Sequence, residues 1–256
     1  MIDIHNHLLP FIDDGSPTLD NSLDMAEISA ASGVDTVILT PHCNIPDYFN
    51  NYYTPELMGA FRNLQSAIQE AGIPLQVLPG MEVFTTDNIA SLIRNHGLIG
   101  LNFSDYLLVE FDFSAPPEWM SDKLQDIRHT GKIPIIAHPE RYDCIQDAPW
   151  LAENWLKSGC FLQCNKGSFL GSFGRHAEIA AHFLLDHRMI SFIASDAHRA
   201  NVRTPQMHEI CQYISHTYSE ETAQQLMQDN PLRVCENRPL ITLDFIPYTR
   251  TSYWEM

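Results

Sequence analysis

Residues 133–142 read IPIIAHPERY, an apolar run that ends in a histidine, a proline, a glutamate and an arginine. A strand apolar along its whole length is buried on both faces, the state of a parallel sheet covered by helices. Six further runs of the same kind flank it: IDIH from Ile2, DTVILT from Asp35, LQVLP from Leu75, YLLVEF from Tyr106, CFLQCN from Cys160 and ISFIAS from Ile190. Helical spacing fills the intervals, with glycines closing 20–32, 54–71, 117–130 and 148–158 and an apolar side on 176–187. Further helices are expected over 87–95, 206–217 and 220–228. Seven β-then-α units favour an α/β barrel of the TIM type, closed or nearly so, with an open doubly wound sheet as the alternative. Residues 1–243 read as one domain, and 244–256 (DFIPYTRTSYWEM) as a tail without a clear period.

The residues at the strand ends carry the functional signal. The first run ends in His5-Asn6-His7, the second in His42, the third in Glu82, the fourth in Glu110, the fifth in His138 and the seventh in Asp196-Ala197-His198. Active sites of parallel α/β proteins are built at that edge in either topology. Residues two apart on a strand share a side, so His5 and His7 can face one ion, as can Asp196 and His198. Asp14, in the loop IDDGS, adds a carboxylate to the same rim. A single histidine at a strand end is usually a hydrogen-bonded structural residue. Nine ligand-type residues mapping to one rim call for another reading.

Five imidazoles and four carboxylates without a thiolate suit Mn²⁺, Fe²⁺ or Zn²⁺, and nine donors are enough for two or three ions. Three divalent ions against four carboxylates leave a positive well, although the whole chain has a formal charge of −17. Such a well selects a compact anion such as phosphate. It also lowers the pKa of a bound water from 15.7 towards ~7, so that hydroxide is available as the attacking group. Arg141, and Arg199 and Arg203 in DAHRANVR, lie beside the rim. A guanidinium matches phosphate with two parallel donors, and Arg141 and Arg203 are the stronger candidates for catalysis.

The acidic balance disfavours nucleic acid and anionic membrane surfaces as partners. The chain shows neither a basic leader nor 18 uninterrupted apolar residues, so a soluble, cytoplasmic protein is expected. The six cysteines form no C-x2-C pair and read as reduced thiols. Cysteine phosphatases use C-x5-R, but the residue six after each cysteine is Phe49, Trp150, Lys166, Leu170, Thr217 or Ile241. The four lysines, at 123, 132, 157 and 166, avoid the fourth run. Amidohydrolase barrels that share the H-x-H opening often carry a modified lysine there.

MIDIHNHLLPFIDDGS at 1–16, TPH at 40–42, GMEV at 80–83, IAHPERY at 136–142 and ASDAH at 194–198 occur in order along residues 1–240. Together they resemble the polymerase and histidinol phosphatase (PHP) superfamily. Within it they look most like the manganese-dependent bacterial protein-tyrosine phosphatases that regulate capsule and exopolysaccharide synthesis. The resemblance implies a distorted, TIM-like (β/α)7 barrel with a trinuclear site. By it, His5, His7, Glu82 and Asp196 would hold one metal, and Glu82 would bridge to a second held with Glu110 and His138. Asp14, His42 and His198 would hold the third, with Arg141 beside the phosphoryl group. It implies Mn²⁺ as cofactor and, as partner, a phosphotyrosine protein such as a tyrosine kinase of polysaccharide export.

Two rival functions stay open at this level. One is a histidinol-phosphate or other small-molecule phosphatase on the same scaffold, and the other a metal-stabilised binding module without turnover. The segment PDYFNNYYT, residues 46–54, places Tyr48, Phe49, Tyr52 and Tyr53 just after His42, as a candidate aromatic wall for a substrate ring.

Overall fold

The computed structural model describes residues 1–95 and 97–249. Among these the strands are β1 (Ile2–Asn6), β2 (Thr36–Leu39), β3 (His42–Ile45), β4 (Phe49–Asn50), β5 (Gln76–Pro79), β6 (Glu82–Phe84), β7 (Tyr106–Glu110), β8 (Ile133–Ala137), β9 (Phe161–Asn165) and β10 (Phe192–Ala194). All pairings are parallel except that of β4 with β3. One sheet has the order β1-β2-β5, the other β10-β9-β8-β7-β6-β3-β4.

The second and third apolar runs therefore each yield two strands rather than one. Thr40-Pro41 separates β2 from β3, and Gly80-Met81 separates β5 from β6. Proline has no N–H for the ladder. At Gly80 a Cβ would come within 2.8 Å of the Ile38 side chain, so the chains can cross closely only with glycine there. The two breaks are side by side, with Leu39 opposite Pro79 before them and His42 opposite Glu82 after them. Both runs thus step together from one sheet into the other. The circuit returns to β1 through the Asp196 N–H donating to His5 O and the His7 N–H donating to Ala197 O, each at 2.9 Å. The seven runs thereby make a distorted barrel instead of an open sheet.

The outer layer begins with α1 (Leu19–Ala31) and α2 (Pro55–Glu70). The Thr18 and Thr54 hydroxyls cap them by accepting from Asn21 N and Leu57 N. There follow α3 (Ile89–Arg94), α4 (Pro117–Arg128), α5 (Asp143–Asp147), α6 (Ala152–Lys157), α7 (Lys166–Phe169), α8 (Arg175–Asp186), α9 (His208–Thr217), α10 (Glu220–Gln224) and α11 (Asn230–Cys235). The expected helix over 148–158 is a 3₁₀ turn, Pro149–Leu151, followed by α6. The short helices α5, α7 and α11 lie outside the expected helices. Among the described residues no helix is long and apolar enough to cross a membrane.

Two apolar clusters divide the core. The larger joins Val37, Leu39, Leu107, Val109, Ile136, Leu162 and Ile193 to the helices. The smaller takes the alternate residues of the same strands, among them Ile38, Tyr106, Leu108, Ile135, Phe192 and Ala194, together with Leu101 and Val234. Residues of opposite parity on one strand face opposite sides, so the smaller cluster fills the barrel interior beneath the site. The expected tail is described as far as residue 249. The Ile246 N–H donates to His187 O, and Tyr248 stacks on Trp150 with centroids 4.8 Å apart. Residues 250–256 lie outside the described residues.

Candidate metal centre

The interior rows explain how the strands deliver side chains to one place. On β7, Tyr106 and Leu108 plug the barrel and Glu110 continues their row. Beyond β10, Asp196 continues the row of Phe192 and Ala194. On β1 three steps from Asp3 to Asn6 match two on β2, from Val37 to Leu39. That irregularity coincides with the change from Ile2 and Ile4 in the interior cluster to His5 and His7 at the centre, since an extra residue re-aims a strand's side chains. His138 adopts a left-handed conformation (φ 34°) that ends β8.

All nine candidate residues converge. Glu82 is the hub: its Oε2 lies 3.2 Å from His5 Nε2, 3.3 Å from His7 Nε2 and 2.9 Å from His42 Nδ1, while its Oε1 lies 3.0 Å from His138 Nε2. Asp196 Oδ1 is 3.5 Å from both His5 Nε2 and His7 Nε2. Glu110 sits between His42, at 3.4 Å, and His138, at 3.6 Å. Asp14 Oδ1 is 3.5 Å from the Nε2 atoms of His42 and His198. The donors form four overlapping groups: His7, Asp14, His42 and His198; His5, His7 and Asp196; His5, Glu82 and His138; and His42, Glu82 and Glu110. Compared with the grouping that the family resemblance implies, His7 also reaches the Asp14 group, and Glu110 faces His42 as closely as His138.

These residues fit metal ions by two observations. Donors bonded at about 2.1 Å to a tetrahedral or octahedral ion stand roughly 3.0–3.5 Å apart, the spacing found here. Moreover His42 Nδ1, Glu82 Oε2, Glu110 Oε2 and His198 Nε2 are buried and make no hydrogen bond. Orphaned buried donors on both imidazoles and carboxylates are costly unless something shared satisfies them.

The charges are mutually dependent. Burial alone would lower the pKa of His5, yet Glu82 and Asp196 raise it. Burial acts likewise on His7, and Asp13 lifts it well above its ordinary value. For His42, burial is outweighed by Glu82 and Glu110, which hold the ring at about 10. In return, and against their burial, Glu82 and Asp196 are held well below the carboxylate range by His5 and the neighbouring cations. His198 goes the other way, to about 4, because burial and the nearby His7 disfavour its charged form. Its ring, 3.5 Å from Asp14 Oδ1, in turn lowers that carboxyl.

The two arginines converge on the outer oxygen of Asp196. Arg203 Nη2 lies 2.5 Å and Arg141 Nη1 3.6 Å from Oδ2. The Arg141 guanidinium lies over the rings of both Phe113 and Phe173, 4.5 Å from each centroid. Arg199 instead ties down the loop after β1 by donating to the carbonyls of Asp14, Gly15 and His198. Of the aromatic segment, Phe49 stacks on His42, whereas Tyr52 donates to Asn44 and Tyr53 meets Phe103 edge-on.

Sequence reasoning missed the residues that orient the donors. Buried Asp13 accepts from the His42 N–H at 2.9 Å and lies 2.7 Å from His7 Nδ1. Its side chain resembles that of its exposed neighbour Asp14 in composition, and the turn alone decides which one points inward. Gly15 makes that turn, since a Cβ there would overlap the His7 carbonyl. Asp3 accepts from Ser195 N and Oγ and so joins β1 to the segment that bears Asp196. Its place in the alternation IDIH was the available signal.

A distorted α/β barrel with a histidine–carboxylate cluster at the carboxyl ends of its strands defines a barrel protein whose functional edge is a candidate metal centre. More narrowly, the chain belongs to the capsular polysaccharide synthesis family CpsB/CapC, whose pattern matches residues 1–236. It is 36% identical over 208 residues to the tyrosine-protein phosphatase YwqE of Bacillus subtilis, covering 81% of this chain and 80% of that one. It is 28% identical over 245 residues to the tyrosine-protein phosphatase CpsB of Streptococcus agalactiae, covering 93% and 99%. It superposes with a TM-score of 0.90, at 31% identity over 98% of this chain and 100% of the other, on a structure from work on YwqE of B. subtilis and CpsB of Streptococcus pneumoniae, described as metal-dependent tyrosine phosphatases. The lactonase Lmo2620 of Listeria monocytogenes shares the fold alone, at a TM-score of 0.59 and 13% identity over 93% and 95%.

Proposed function

We infer that this chain is a metal-dependent protein-tyrosine phosphatase of capsular polysaccharide synthesis. The observation that carries the reading is the Glu82 hub, which draws four imidazoles from three separate strand ends into one centre. We read His5, His7, Asp14, His42, Glu82, Glu110, His138, Asp196 and His198 as the metal ligands, with Mn²⁺ as the resident ion and Fe²⁺ or Zn²⁺ as substitutes. Domain and tail divide as 1–243 and 244–256 in this reading.

When bound, the ions supply positive charge to the phosphoryl oxygens and a water ionised near neutrality. The chain's own residues do the rest. Arg141, a fifth exposed and held in place by its two rings, turns its donors to the phosphoryl group and neutralises charge in transfer. Arg203 joins it from the Asp196 side. Asp13 orients His7, and Arg199 keeps the Asp14 loop on the rim. No buried protein acid needs to meet the leaving oxygen, because a phenolate with a pKa of about 10 departs more readily than an alkoxide. Phe49, stacked on His42, provides an apolar wall at the rim for that ring.

The substrate we propose is a phosphotyrosine protein, a tyrosine kinase of polysaccharide export in the finer reading. All six cysteines are unpaired, which suits a reducing, cytoplasmic setting. The test is kcat/KM for phosphotyrosine peptides against histidinol phosphate, before and after chelation. Chelation is expected to abolish activity and Mn²⁺ to restore it better than Mg²⁺. A tenfold preference for histidinol phosphate would overturn the substrate assignment.

A further inference from the structure

The sixth run is the exception among the seven, since β9 ends in Gln163-Cys164-Asn165 and offers the centre no donor from the groups described above. Its two amides are nevertheless wholly buried. Being two apart on a strand they share a side, and they link two candidate ligands from different strands. His5 Nδ1 lies 2.8 Å from Gln163 Oε1, the Gln163 amide donates to Asn165 Oδ1 at 2.9 Å, and the Asn165 amide donates to Asp196 Oδ2 at 2.5 Å. The row is anchored from behind. Glu140, buried under β9, accepts from Asn165 N at 2.9 Å and from Ser168 Oγ at 2.6 Å.

The direction of this row follows from one end. An ionised carboxylate only accepts, so Asn165 must present its NH₂ to Asp196. Its carbonyl oxygen is then left for the NH₂ of Gln163. Gln163 in turn can offer His5 only its own carbonyl oxygen, which requires a proton on Nδ1. Nε2, which faces Glu82 Oε2 and Asp196 Oδ1, is then the nitrogen left to bind an ion that those oxygens share. Any reversal would press two acceptors together at Asp196. His7 receives the same treatment from a carboxylate, Asp13, so two neighbouring imidazoles are set by chemically different partners.

We propose that Gln163 and Asn165 are positioning residues, a one-way amide relay running from Asp196 to His5 that makes Nε2 the metal-binding nitrogen of His5 and turns Asp196 Oδ1 to the same ion. The proposal rests on the metalloenzyme reading above and adds to it the residues that select the tautomer. Partners of metal ligands typically change affinity by about 10–100-fold when removed.

The test uses Zn²⁺ as a diamagnetic probe on the full chain. In the zinc-loaded wild type, ring ¹⁵N spectra are expected to show His5 protonated at Nδ1 and coordinated through Nε2. The opposite tautomer would overturn the relay without any variant. Chelator competition on Gln163→Leu is expected to show the tightest zinc weakened by about 10–100-fold, with the His5 Nδ1–H signal lost. Gln163→Glu still accepts from Nδ1–H, although its second oxygen loses the donation to Asn165 Oδ1, and is expected to keep that signal. Leucine binding within threefold of wild type, or loss of the His5 Nδ1–H signal in the glutamate variant, would overturn the relay. If the leucine variant does not fold, the wild-type spectrum and the glutamate variant decide. A wild type that takes up neither Zn²⁺ nor Mn²⁺ would overturn the metal reading itself, and the relay with it.

Discussion

Replacing Arg141 by alanine separates catalysis from metal binding. The guanidinium stands 3.6 Å from Asp196 Oδ2 but is held mainly by Phe113 and Phe173, 4.5 Å from each centroid, and its removal leaves that oxygen still paired with Arg203 and Asn165. Two cation–π contacts at a partly exposed site contribute roughly 0.5–1 kcal/mol each, which predicts a loss of about 1–2 kcal/mol in stability. In a chain of this size that corresponds to a fall of a few degrees in Tm. The effect on turnover is expected to be larger. Loss of one donor to transition-state charge costs about 2.7–4 kcal/mol, a fall in kcat of about two to three orders of magnitude. Arg141→Lys keeps the charge but neither the fork nor the flat stacking surface, so it should regain only part of that loss. The assay is kcat on a phosphotyrosine peptide at saturating Mn²⁺, with metal content measured on the same sample. A kcat within threefold of wild type at unchanged metal content would refute the role given to Arg141.

Glu82→Gln should cost more than one equivalent of bound metal, because a single carboxylate faces four imidazoles; full metal stoichiometry by elemental analysis would contradict the hub. In the metal-free chain His42 titrates near 10, raised from 6.5, so its protonated form adds stability that is complete below about 6.5 and is lost as pH rises towards 10. Metal uptake must displace that proton, and the rise in Tm on adding Mn²⁺ is therefore expected to grow from pH 6 to pH 8; a flat or falling increment would count against imidazole ligation. The Tyr142 hydroxyl, wholly buried, donates to Ala137 O at 2.9 Å and accepts from Phe111 N at 3.2 Å. Tyr142→Phe should cost about 1–3 kcal/mol by leaving both groups unsatisfied, read as a lower denaturation midpoint with unchanged metal content.

Much of this was legible in the chain itself. Each of the seven apolar runs has its strand, and six of them end in a residue that reaches the centre, because a doubly buried strand must be apolar until the point where it leaves the sheet. What was not legible has a physical cause in each case. The breaks at Pro41 and Gly80 arise where two neighbouring strands cross from one sheet to the other, which depends on both at once. Asp13 and Asp14 are the same residue type one position apart, and a tight turn at Gly15 sends one inward to His7 and leaves the other on the rim. Gln163 and Asn165 looked like ordinary polar residues closing an apolar run, since an amide declares a role only through the partner it meets.

The sequence by itself therefore determined the parallel α/β plan, the edge at which chemistry would be found and the kinds of donor assembled there, because strand burial and ligand type are properties of single residues and their nearest neighbours. Only the tertiary structure decided that Glu82 is the hub, that Arg141 lies over two rings, and which nitrogen of each imidazole is turned to the centre. Those depend on the meeting of atoms from segments tens of residues apart, at distances where a shift of one ångström exchanges one partner for another.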